Sequence, residues 1–151
     1  MKKLLSIALV LLFFCAFAHA HPMGNFSINH HTRFDINASE IKIIYSLDFA
    51  EIPSIEQMDK NANGMVDASE LEQYRSDMLA GLLKNLTLQV NEVRVDPKLV
   101  TCSIVGRPGA AGLTTVLLRA TLSLPLAKLP VRIKYLDKNF SSRLGIPKAH
   151  C

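Results

Sequence analysis

An α+β domain in which strand outweighs helix is what this sequence predicts, on three observations. Six or seven short runs alternate apolar with polar residues, the period-two pattern of strands with one buried face. One stretch, at about 51–84, carries helical periodicity on both sides of a polar loop. Short turn-forming segments join several of the strands, which favours an antiparallel, sandwich-like arrangement with a helix-loop-helix inserted after the second strand.

The elements follow in order. Residues 1–20 stand outside the fold: Met1-Lys2-Lys3 is a basic head, 4–17 an apolar run, and Ala18-His19-Ala20 puts small residues three positions and one position before a cut. That is the pattern of a secretory signal peptide, and the run is shorter than the roughly 20 residues of a spanning helix. Cleavage after Ala20 leaves 21–151 as one β-rich domain, periplasmic or secreted, with no membrane span. Strands are expected over 25–36 and 41–49, across an Asn37-Ala38-Ser39 turn. After the helical insertion, 86–90 and 93–95 flank Asn91-Glu92 as a hairpin. Then 100–105 and 113–124 are separated by Gly106-Arg107-Pro108-Gly109, and 131–136 is the last strand.

Composition narrows the function classes. With 151 residues, 49% hydrophobic and 20% charged, the chain can bury a core without disulfides and is neither disordered nor collagen-like. Without Lys2 and Lys3, fifteen basic residues face thirteen acidic ones. Their distribution is uneven: 35–77 holds ten acids and three bases, 78–151 eleven bases and three acids. The basic half alternates charge with apolar residues, as in Val131-Arg132-Ile133-Lys134-Tyr135, which is the solvent side of a strand and no nucleic-acid footprint.

The acidic middle centres on Asp59-Lys60-Asn61-Ala62-Asn63-Gly64-Met65-Val66-Asp67-Ala68-Ser69-Glu70, which matches the twelve-residue EF-hand calcium loop. Calcium takes six to eight oxygens at about 2.3–2.6 Å. Asp59, Asn61 and Asn63 alternate so that three side-chain oxygens converge, and Gly64 permits the sharp bend. Met65 ligates through its carbonyl, Asp67 directly or through water, and Glu70 through both oxygens. Val66 anchors the loop to the core. Ile52, Ile55 and Met58 before it, and Leu71, Tyr74, Met78, Leu79 and Leu82 after it, recur at helical spacing, with Pro53 in a first turn. Asp and Asn as mere turn formers would explain one or two of these matches, not all. Three carboxylates, two neutral amides and a single loop point to one weak site, on the order of 0.1–1 mM as in extracellular modules.

Other residues compete for function. His21, as a new N-terminus, could chelate nickel, cobalt or copper through its amine and imidazole, completed by His30 or His31. The competing reading makes His30 and His31 strand residues facing opposite sides. Cys102 and Cys151 are the thiols that remain after processing. An oxidising compartment permits their disulfide, and the terminal place of Cys151 disfavours it. Asn25, Asn37, Asn85 and Asn139 head Asn-x-Ser/Thr triplets, which matter only in a eukaryotic secretory pathway. No nucleophile elbow, H-E-x-x-H or glycine-rich phosphate loop occurs, and the chain is not expected to be an enzyme.

His21-Pro22-Met23-Gly24-Asn25-Phe26-Ser27-Ile28-Asn29-His30 after a signal peptide, and Tyr45-Ser46-Leu47-Asp48-Phe49-Ala50-Glu51-Ile52-Pro53, resemble the extracytoplasmic N-terminal domain of bacterial nickel/cobalt exporter-type membrane proteins. Tyr135-Leu136-Asp137-Lys138-Asn139-Phe140, with Arg143 and Gly145, resembles a later landmark of that domain, although Ile146-Pro147 stands where an aromatic usually follows the glycine. Members often carry an EF-hand-like segment at the matching place. The resemblance implies a bacterial periplasmic setting and association with divalent-metal transport, and the multi-helix transport domain has no counterpart in these residues. The leading expectation is therefore a calcium-binding module whose β-domain contacts a protein partner, such as a membrane metal transporter. Its rivals are a periplasmic nickel, cobalt or copper binder and a truncated remnant of a metal exporter.

Overall fold

The computed structural model describes residues 23–130 and 132–141. The expected signal peptide, His21 and Cys151 lie outside these residues.

Strand β1 (Ile28–Ile36) turns back into β2 (Glu40–Phe49), and the two run antiparallel from Ile28 opposite Phe49 to Ile36 opposite Ile41. Asn37 makes the turn: its Oδ1 accepts from the Ser39 N–H at 2.8 Å, the Glu40 N–H at 2.9 Å and the Ser39 hydroxyl at 2.9 Å. This is the local bonding by which Asn competes with regular structure and wins in turns. Two helices follow, α1 (Glu51–Met58) and α2 (Ala68–Lys84). Strand β3 (Leu86–Val90) pairs with β4 (Val93–Val95) across Asn91 and Glu92. Both loop residues have positive φ, 50° and 67°, the handedness that matches strand twist in a two-residue hairpin. Strands β5 (Lys98–Pro108), β6 (Thr114–Pro125) and β7 (Ile133–Asp137) complete the order. The fifth strand is longer than the 100–105 expected from alternation.

The strands form two antiparallel sheets, β1-β2-β6-β5 and β4-β3-β7. Ile41, Ile43 and Leu122 of the first meet Leu88 of the second in one core cluster. The other cluster lies under the helices: Tyr45, Leu47, Phe49, Val116 and Leu118 receive Met58, Val66, Tyr74 and Leu82. Leu71 packs against this cluster, whereas Met78 remains 39% exposed, because α2 rides over β5 at the edge of the sheet. Among the described residues, no helix is long and apolar enough to cross a membrane.

The start of α1 buries a carboxylate that hydrophobic patterning did not mark. Glu51 is 7% exposed, and its Oε1 accepts the Ala110 N–H at 2.8 Å. That bond holds its carboxyl below the ordinary value of 4.5. Gly109 makes room for it, since a Cβ there would fall 2.7 Å from Glu51 Oε1 and 3.0 Å from Thr115 Cγ2.

Candidate metal centre

The loop between the helices is held by its own carboxylates and amides. Asp59, which ends α1, accepts the Asn63 N–H at 3.3 Å on Oδ1 and the Gly64 N–H at 2.8 Å on Oδ2. Asn61 Oδ1 accepts the Asn63 N–H at 3.0 Å, and Asn63 Oδ1 accepts the Met65 N–H at 2.8 Å. Two left-handed residues, Ala62 at φ 59° and Gly64 at φ 81°, fold the chain around these oxygens. Val66 is buried in the core cluster, whereas the Met65 side chain is 60% exposed.

At the far end, Asp67 caps α2. Its Oδ1 accepts from the N–H groups of Ser69 at 2.8 Å and Glu70 at 3.0 Å and from the Ser69 hydroxyl at 2.8 Å, while Glu70 Oε2 accepts the Asp67 N–H at 3.1 Å. This reciprocal capping box satisfies N–H groups that an α-helix otherwise leaves unpaired. Donation by the Glu70 N–H and the Ser69 hydroxyl holds the Asp67 carboxyl below its ordinary range. Glu70 is only 5% exposed, and its Oε1 reaches back across the loop to the N–H groups of Lys60 at 2.9 Å and Asn61 at 3.2 Å. One carboxylate thus closes the loop from its last position onto its second and third.

The donor set fits a hard cation in kind. A carboxylate or amide oxygen offers two lone pairs. The bonds above take one on each Asp59 oxygen, one each on Asn61 and Asn63 Oδ1, and one on Glu70 Oε2, and those to Asp67 fall on Oδ1. Each of these groups retains acceptor capacity, and bidentate ligation by Glu70 would exchange its Oε1 bonds to the Lys60 and Asn61 N–H groups for a cation. No group of three or more His, Cys, Asp or Glu side chains among the described residues stands together as a metal cluster. In the loop, two of the candidate side-chain donors, Asn61 and Asn63, are amides, and a further candidate is the Met65 backbone carbonyl.

The histidines sit elsewhere. His31 is exposed on the outer face of β1, and His30 points inward, as neighbours on a strand must. His30 Nδ1 lies 2.6 Å from Asp137 Oδ2, and the ring meets Tyr45 and Phe140 edge-on at 6.5 and 6.1 Å. Its Nε2 is buried with no hydrogen-bond partner among the described residues. Among the described residues Cys102 has no disulfide partner, and burial raises the pKa of its half-buried thiol.

What sequence reasoning missed is the network around His30. Asn139 is 3% exposed, and its Nδ2 donates to the Tyr45 hydroxyl at 2.9 Å and the Leu82 carbonyl at 3.0 Å. Its Oδ1 accepts from Asn85 at 3.0 Å, and its N–H donates to Asp137 Oδ1 at 2.8 Å. Burial, then the neighbouring Asp137 carboxylate, raises the Tyr45 hydroxyl far above its usual range. Residues of β1, β2, the end of α2 and the end of β7 are thereby tied together. Two of the four Asn-x-Ser/Thr triplets, at Asn85 and Asn139, are members of this structural network. The one signal in the sequence was Asp137 two residues before Asn139, at an inward-facing place of its strand.

Comparison of the chain with known protein families, with curated proteins and with solved structures finds no match in any of the three. His30, Tyr45, Phe49, Asp137, Asn139 and Phe140 pack around one another.

Proposed function

We propose that this chain is an exported calcium-binding domain: the loop 59–70 takes one calcium ion, and the ion fixes the α1–α2 pair against a β-domain that contacts a protein partner in divalent-metal transport. The observation that carries the reading is Glu70, a buried carboxylate at the twelfth loop position whose two oxygens already bind the second, third and ninth residues. Gly64 in the left-handed region at the sixth position and Val66 buried at the eighth support it. Met65, at the seventh, would offer its carbonyl while its side chain stays in solvent. The setting and the partner, a membrane transporter of divalent metal, rest on the resemblance alone.

Calorimetric titration tests the calcium reading. One site is expected, with an affinity on the order of 0.1–1 mM and much weaker binding of magnesium, which demands a tighter octahedron of oxygens. Asp59→Ala and Glu70→Gln should each abolish the heat. Millimolar calcium that produces neither heat nor thermal stabilisation would reduce the loop to a turn.

A further inference from the structure

The loop 59–70 holds a second chemistry, one that needs no metal. Asn63-Gly64 is the one Asn–Gly step in the sequence. An asparagine amide and the next backbone nitrogen are one bond short of a five-membered ring, and a glycine there leaves the attacking nitrogen unscreened by a Cβ. Asn63 is exposed at the turn, and nothing lies within 4 Å of where a Gly64 Cβ would stand. Two neighbours already meet the groups that ring closure uses. The Gly64 N–H, which must lose its proton, donates to Asp59 Oδ2 at 2.8 Å. Asn63 Oδ1, on which negative charge would develop, accepts the Met65 N–H at 2.8 Å. The Asn63 N–H is itself held by Asn61 Oδ1 at 3.0 Å and Asp59 Oδ1 at 3.3 Å.

From this geometry we infer that Asn63 is a self-modification site, converting to aspartate or isoaspartate through a cyclic imide with Asp59 as the base. Gly64 N attacks Asn63 Cγ while Asp59 Oδ2 takes its proton. The Met65 N–H stabilises the charge that forms on Oδ1. The Cγ–Nδ2 bond then breaks, and Nδ2 leaves as ammonia with the proton that Asp59 had accepted. Water opens the imide. Cleavage between Cγ and nitrogen gives aspartate, and cleavage between the main-chain carbonyl and nitrogen gives isoaspartate. Water is consumed, ammonia is released, and no oxidant or reductant is needed. A held base and a fixed approach replace the chance encounters of a flexible peptide. Conversion places a new negative charge at the fifth position of the loop, among the candidate calcium donors. That consequence rests on the calcium reading, and the conversion itself does not.

Peptide-mapping mass spectrometry on the purified protein, incubated in calcium-free buffer near neutral pH, reads the conversion at each asparagine. A synthetic peptide of residues 58–70, which lacks the core that holds Val66, is the flexible reference. Asn63 should convert faster in the folded protein than in the peptide, by on the order of tenfold or more, a modest gain for a positioned base because a carboxylate is a weak one. Asn61 is exposed in the same loop and its Oδ1 also accepts an N–H, but alanine follows it, and it should stay an amide over the same period. Asp59→Asn keeps an oxygen for the Gly64 N–H and removes the base, so its Asn63 should convert at the peptide's rate. Circular dichroism checks that this variant is folded. Conversion of Asn63 no faster in the folded protein than in the peptide, or equally fast in native chain and folded Asp59→Asn, would overturn the inference. Calcium binding is read separately by calorimetry, so failure of that reading leaves this result untouched.

Discussion

Single residues divide here into those whose backbone is special and those whose side chain is buried and polar. Gly64 belongs to the first kind: nothing lies within 4 Å of where its Cβ would be, so Gly64→Ala meets no clash, only the strain of φ 81°. A left-handed backbone costs a residue with a Cβ about 1–2 kcal/mol, and chemical denaturation should find a loss of that size. Asn139 belongs to the second. Asn139→Ala removes partners from Tyr45, Leu82 and Asn85 at once and should cost about 3 kcal/mol in the same measurement, because buried polar groups left unpaired are expensive. Glu51 adds a pH dependence. Its folded carboxyl lies below 4.5, so the stability it contributes is present above the unfolded value and disappears as pH falls through the lower folded value. The stability gap between the native chain and Glu51→Gln should therefore be open at pH 7 and shrink in increasingly acid solution, below the ordinary value of 4.5.

For whole elements, alternation and turn chemistry made most of the chain legible. The β1–β2 and β3–β4 hairpins follow from Asn37 and Asn91, whose local backbone and side-chain preferences need no distant partner. Both helices follow from apolar spacing, and Asp67, read from the sequence as a candidate ligand, proves also to be the cap of α2. The two roles can be separated. Asp67→Asn keeps an oxygen to accept the Ser69 and Glu70 N–H groups, so the thermal midpoint without calcium should hardly move while calcium affinity falls. Asp67→Ala should lower both, as followed by far-ultraviolet circular dichroism with and without the ion. The start of α1 was less legible, because the reason to bury Glu51 lies in Gly109 and in Ala110, whose N–H binds it from 59 positions away.

Across the whole molecule, what local reading cannot reach is the division of strands between sheets. Nothing in β6 announces that it lies between β2 and β5, or that β7 returns to β3, since pairing is decided by long-range packing once each strand exists. The same distance hid the pairing of His30 with Asp137, 107 positions apart, which gives this histidine a structural partner outside the 59–70 loop. That separation makes the central claim open to a residue-resolved test. Calcium titrated into the isotopically labelled protein should shift the backbone amides of Lys60, Asn61 and Gly64, whose bonds to Glu70 and Asp59 the ion would redraw, and those at the start of α2, while His30, Asp137 and Asn139 stay still. Loop amides that do not move at millimolar calcium, or shifts centred on His30 and Asp137 instead, would contradict it.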